Sequence, residues 1–215
     1  MIANRIDTLF STKKTRILSI YFTAGFPQLN DTVEIMQALE DAGVDMIEIG
    51  MPFSDPLADG PVIQDSSMQA IKNGMSIPRL FDQLSDIRNK VQIPLILMGY
   101  LNPVMQYGEE KFFKDAAEIG IDGLILPDLP LKQYVQDYKA YTEGLGLHHI
   151  YLITPQTSEH RIREIDRETE GFIYMVSSTS TTGTKEGTAT SQFDYFERIQ
   201  NMNLQNPRLI GFGIK

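Results

Sequence analysis

Two carboxylates stand close together in the segment Glu48-Ile-Gly-Met-Pro-Phe-Ser-Asp-Pro-Leu-Ala-Asp-Gly-Pro61, and their settings differ. Glu48 lies inside the apolar run Met46-Ile47-Glu48-Ile49-Gly50. Strand alternation sends Ile47 and Ile49 to one face and Met46, Glu48 and Gly50 to the other. If the isoleucines meet helices, Glu48 points inward, near the end of the strand where barrel enzymes keep their chemistry. Burial penalises the ionised form of a carboxyl and moves it toward the range where it both donates and accepts protons. A structural Glu bonded to nearby backbone, Ser or Thr fits the same pattern. Asp59 sits in Pro56-Leu57-Ala58-Asp59-Gly60-Pro61, where Asp-Gly and Asp-Pro steps also mark turns. Asp55 and Asp59 can therefore serve the backbone alone.

A second candidate region is Ser177–Ser191, with ten Ser or Thr and two Gly in fifteen residues. Nothing in it packs a core. It is either a lid that closes over a ligand and excludes water or a plain surface loop. Thr182-Gly183 offers a hydroxyl and a close backbone approach to a phosphate, and Gly211-Phe212-Gly213 offers backbone N–H groups for the same purpose. His148 and His149 are neighbours on a strand, so they face opposite ways and cannot share one metal. His160 stands beside Arg161 and Arg163 on a solvated helix face. No metal site is expected.

The elements that must position these groups repeat in a regular way. Apolar, β-rich runs at 17–21, 46–50, 94–99, 123–127, 150–154, 172–177 and 209–212 alternate with amphipathic patterns at 31–42, 78–90, 108–119, 132–143, 158–168 and 191–201. Asp31 and Ser158 are candidate N-caps, and Gly43 and Gly120 candidate C-terminal stops. Near-continuous apolar strands mean a parallel sheet covered on both faces. Right-handed helical crossovers then give a (β/α) barrel or an open doubly wound sheet. The turn Thr23-Ala24-Gly25-Phe26-Pro27 lacks a dinucleotide-type glycine loop, which favours the barrel. The expectation is a single α/β domain over 1–215, a TIM (β/α)8 barrel whose eighth βα unit is absent, because such barrels usually need about 250 residues.

Composition narrows the partners. The chain has 215 residues, 19 basic against 28 acidic, for a formal charge of −9. That balance disfavours nucleic acid and anionic membranes. There is no Cys, so disulfides and thiolate metal sites are excluded. The N-terminal residues do not read as a signal peptide, and no apolar run approaches the ~18 residues that would span a bilayer. A cytoplasmic protein is expected.

The segment Glu48–Pro61 resembles the signature of the tryptophan synthase α subunit family. The resemblance runs from Asn4-Arg5-Ile6 through Tyr21-Phe22-Thr23-Ala24-Gly25, Met98-Gly99-Tyr100-Leu101-Asn102-Pro103 and Leu126-Pro127-Asp128-Leu129-Pro130 to Gly211-Phe212-Gly213-Ile214. It implies retro-aldol cleavage of indole-3-glycerol phosphate to indole and glyceraldehyde 3-phosphate, with no metal or organic cofactor in this chain. Glu48 matches the family's general acid/base and Asp59 its second carboxylate. Tyr174 matches an active-site tyrosine, and Tyr21, Met98 and Ile125 fall where the family lines its indole pocket. Gly183 and Gly213 match phosphate-binding glycines, and Thr182 the threonine of the closing loop. The implied partner is a β subunit carrying pyridoxal phosphate, in an α2β2 complex, with Pro52, Asp55 and Asp128 at or near the contact.

Two departures stand out. The loop reads Ser177-Ser178-Thr179-Ser180-Thr181-Thr182-Gly183, where the family usually has a basic or larger residue at 178, Gly at 180 and an aliphatic at 181. The family's eighth strand, with its own phosphate-binding Gly and Ser, has no counterpart, so a C-terminally incomplete sequence is expected. Three other readings compete: a stand-alone lyase that releases indole, a non-catalytic activator of a β subunit, and a different phosphate-binding barrel aldolase. The last is weakened because Lys215, at the terminus, is the only Lys placed like a Schiff-base lysine at a strand end.

Overall fold

The apolar runs of the sequence become strands that pair only in parallel among the described residues of the computed structural model. It describes residues 4–56, 59–176 and 189–211, with side chains from 192 onward in the last segment. The chain divides into two units, Met1–His149 and Ile150–Lys215.

The first unit begins with helix α1 (Arg5–Thr12) and carries the sheet β1 (Ser19–Thr23), β2 (Met46–Gly50), β3 (Leu95–Met98), β4 (Gly123–Ile125) and β5 (His148–His149), in that spatial order. Between the strands run α2 (Thr32–Asp41), α3 (Pro61–Lys72), α4 (Ile77–Leu84), α5 (Leu101–Tyr107) and α6 (Glu109–Glu118). A helical stretch follows β4: α7 (Leu131–Gln133), a π-helical segment Tyr134–Tyr138 and α8 (Lys139–Gly144). Every residue of β2 and β3 is buried, as parallel strands covered on both faces require. The second unit holds β6 (Leu152–Ile153), α9 (Glu159–Glu168), β7 (Ile173–Val176), α10 (Ala189–Asn201) and β8 (Arg208–Gly211), its strands ordered β6-β7-β8.

Local chemistry explains most boundaries. Ser158 Oγ accepts from Arg161 N at 3.3 Å, a working N-cap for α9. Gly43 and Gly120 end α2 and α6 with φ of 86° and 90°, conformations that favour glycine. Asp31 behaves differently from expectation: its carboxylate turns back to accept from Gln28 N at 3.1 Å and makes no side-chain cap to α2. The helix expected at 78–90 stops at Leu84, and the chain continues through a 3-10 turn at Ile87–Asn89. The strand expected at 150–154 is divided. His148–His149 pairs with β4, whereas Leu152–Ile153 pairs with β7. An unbroken apolar run gives no sign of where its ladder partner changes.

A polar cluster ties the starts of β3 and β4 to α1. Asp122, 3% exposed, accepts from Arg88 Nη2 at 2.5 Å, Arg5 Nη1 at 3.1 Å and Leu95 N at 2.9 Å. Arg88 spends its five donors on Asp122 and on the carbonyls of Gly120, Val91 and Ile93. Asn4 Nδ2 adds bonds to Asp122 O and Gly146 O, both 2.8 Å. His148 and His149 do face opposite ways: His148 Nε2 meets Asp7 of α1 at 2.9 Å, and the His149 ring packs on Tyr134 at 4.7 Å. Burial depresses His149 to a pKa of about 3. No helix among the described residues is long and apolar enough to cross a membrane.

Candidate active site

The register of the first sheet decides which side chains share a face. Tyr21 pairs with Glu48, Gly50 with Met98, and Met98 with Ile125. Parallel partners point the same way, as do residues two apart. Ser19, Tyr21, Glu48, Gly50, Met98 and Ile125 therefore lie on one face. Glu48 is 2% exposed, Met98 7% and Ile125 0%. Glu48 is buried, and the register brings its carboxylate into the company of Tyr21, Met98 and Ile125.

Tyr21 leans along this face. A Cβ added to Gly50 would stand 2.2 Å from the Tyr21 hydroxyl, so only glycine leaves room for the phenol. Burial, reinforced by the charges of Asp59 and Glu48, pushes the Tyr21 phenol up to about 12, against a hydrogen bond with Thr23. The phenol thus stays protonated at any working pH.

The loop after β2 delivers Asp59. Its amide donates to Pro56 O at 3.0 Å, and its carbonyl accepts from Gln64 Nε2 at 2.7 Å, which fastens the turn to α3. Gly60 and Pro61 open α3 with the ring at the first helical position. Thr23 Oγ1 and Ser66 Oγ are 2.8 Å apart, joining β1 to the same helix. The carboxylate of Asp59 is held from the other side by Tyr100, whose hydroxyl donates to Oδ2 at 3.1 Å. Partial burial raises the Asp59 carboxyl above its ordinary range, and the Tyr100 bond works against that rise. Tyr100 in turn packs on Phe53 at 5.1 Å.

Of the other expected residues, Tyr174 lies in the second unit, 6% exposed on β7. It repeats the Tyr21 geometry: a Cβ on Gly211 of β8 would stand 2.0 Å from its hydroxyl. Thr182, Gly183 and Gly213 lie outside the described residues, as does the Ser/Thr-rich loop up to 188. Pro52 is half-buried, while Asp55 and Asp128 are exposed. Asp128 has a bonding role besides: Oδ1 and Oδ2 accept from Leu101 N at 2.9 and 3.0 Å, at the start of α5.

Sequence reasoning assigned no role to Ser19, Tyr100 or Ser66. Ser19 had one signal, a hydroxyl in step with Tyr21 on an otherwise apolar strand. Tyr100 stood inside a quoted motif without a partner. A buried proton-exchanging group beside apolar walls, with a second anion held at the rim, can protonate a carbon, deprotonate a hydroxyl and stabilise a nearby cation.

The model of the family "Tryptophan synthase alpha chain" matches residues 8–215. The tryptophan synthase alpha chain of Parabacteroides distasonis is 59% identical over 211 residues, 98% of this chain and 82% of that protein. Its counterpart in Flavobacterium johnsoniae is 62% identical over 98% of this chain and 83% of its own length. Among solved structures, the tryptophan synthase α subunit of Legionella pneumophila superposes with a TM-score of 0.87 at 35% identity, covering 99% of this chain and 79% of that one. Tryptophan synthase from M. tuberculosis in its aminoacrylate-bound form gives 0.84 at 27% identity, covering 99% and 82%. These neighbours put the chain in the TIM-barrel class of α/β folds that the strand–helix alternation implied.

Proposed function

The chain belongs to the tryptophan synthase alpha chain family, and from that premise we propose that Glu48 and Asp59 carry its chemistry. The protein is a carbon–carbon lyase of tryptophan biosynthesis that cleaves indole-3-glycerol phosphate to indole and glyceraldehyde 3-phosphate. The bond breaks when carbon 3 of the indole gains a proton and the side-chain hydroxyl loses one. Glu48 is the group for these transfers, because it is buried beside apolar walls and can be both base and acid. Protonated indole carries positive charge on its ring nitrogen. Asp59 accepts that N–H and stabilises the charge as it grows. The observation that carries this reading is a buried Glu48 in register with Tyr21, with Asp59 held by Tyr100 just past the end of β3.

In the same reading Tyr21, Met98 and Ile125 form the indole pocket, with Tyr174 beside the substrate, and Thr182, Gly183 and Gly213 hold the phosphate. The family works with a β subunit. We assign the contact to Pro52, Asp55 and Asp128, the assembly to α2β2, and pyridoxal phosphate to the β subunit alone. Indole then passes directly to that subunit, in the cytoplasm. Lyase turnover with and without β subunit tests the assignment. Glu48→Gln lowers kcat at least ~10²-fold while ligand binding survives. Asp59→Asn lowers kcat more than it raises KM, since the charge it meets arises mainly in the transition state. A Glu48→Gln protein with most of its turnover removes Glu48 from the mechanism.

A further inference from the structure

Ser19 opens β1 in register with Met46, two residues behind Glu48 on the same face. Its hydroxyl donates to Glu48 Oε1 across 2.5 Å, the spacing of a hydroxyl on an ionised carboxylate. With the carboxylate ionised the direction is set, because it then only accepts and Ser has one proton to give. On the β2 side the bond is buried, with Glu48 2% exposed, while Ser19 on β1 is half-buried.

We propose that Ser19 is a positioning residue for the lyase reaction, holding Glu48 by Oε1 in its ionised, proton-accepting form. The proposal rests on the assignment of Glu48 given above. A donor bonded to the charged form of an acid favours that form. It also fixes the plane of the carboxylate, so that Oε2 keeps one direction. Several other described residues share the face of Glu48 or lie near it. Tyr21 of β1 faces it as a protonated phenol, and Asp59, held by Tyr100, faces the same end as a second anion. From β3 and β4 come Ile96, Met98 and Ile125, which carry no charge. His148, on the same face of β5, is engaged with Asp7.

The test is lyase kinetics across pH for Ser19→Ala, Ser19→Thr, Glu48→Gln and the Ser19→Ala/Glu48→Gln pair, with thermal unfolding alongside. Ser19→Ala lowers kcat about tenfold, leaves KM within about twofold, and moves the acid limb of the kcat profile to higher pH. Ser19→Thr restores both, and Ser19→Ala adds nothing once Glu48 is Gln. Should Ser19→Ala not fold, Ser19→Cys, of similar size with a weaker donor, gives the same direction of change. An inactive Glu48→Gln beside a Ser19→Ala of normal turnover and normal pH profile overturns the role of Ser19 alone. Normal turnover in Glu48→Gln overturns the reading on which it rests.

Discussion

The Tyr100 hydroxyl donates to Oδ2 of Asp59 across 3.1 Å, so a residue placed by β3 sets the carboxylate delivered by the loop after β2. Asp59 is raised by partial burial, and the Tyr100 bond is what opposes the rise. Tyr100→Phe removes the donor and lets the carboxyl rise further. Activity that needs ionised Asp59 is then lost at a higher pH on acidification. We expect the acid limb of kcat/KM to move upward, with turnover at neutral pH falling several-fold and folding stability nearly unchanged. An unmoved acid limb would show that Asp59 is set by its loop alone.

Gly50 is the space that the Tyr21 phenol occupies. Gly50→Ala forces either the phenol or the β2 backbone to move, at a cost of about 1–3 kcal/mol in unfolding free energy. Pairing it with Tyr21→Val, which removes the ring, should recover most of that stability but not the turnover. Chemical denaturation of the single and double variants measures the first claim, and the lyase assay the second.

His149 links stability to acid. Its folded pKa, depressed by burial to about 3, lies below the ordinary value of 6.5, so the unfolded chain binds the extra proton between those limits. Stability from keeping it neutral is complete above pH 6.5 and drains away as the pH falls toward 3, at no more than about 1.4 kcal/mol per pH unit. His149→Phe, stacked on Tyr134, should flatten the acid side of the stability curve by that slope. Equal slopes in both proteins would refute the assignment.

Asp122 anchors the starts of β3 and β4, at the opposite end of those strands from Tyr100 and its bond to Asp59. Replacing it with Ala leaves the Arg88 guanidinium without its carboxylate in a largely buried site, which typically costs about 3–5 kcal/mol. The melting temperature should drop steeply while KM in the surviving folded protein stays near normal. A change confined to KM would mean that this cluster belongs to substrate binding after all.

How far the sequence revealed this site depends on the kind of signal each residue leaves. Glu48 was legible because a charge in an alternating apolar strand has a definite face. Asp59 was ambiguous, since its turn chemistry is real: its backbone closes the turn with Pro56 and Gln64 while its side chain meets Tyr100. Helix α3 was hidden because its buried residues are Ser66, Ser67 and Ala70, small side chains that leave no apolar stripe. The Ser19–Glu48, Tyr100–Asp59 and Asn4–Asp122 bonds join residues 29, 41 and 118 positions apart. No local pattern records such pairs; only the strand register brings them together.

Asp128 is at the surface, yet both its oxygens hold the first amide of α5, and Tyr100 is the residue immediately before that amide. The route from an exposed carboxylate to Asp59 is therefore two sets of hydrogen bonds with one peptide link between them. Whatever pulls on Asp128 from outside must strip the Leu101 amide of its acceptor or drag Tyr100 along. The helix start works as a short lever, with its grip in solvent and its tip on the Asp59 carboxylate.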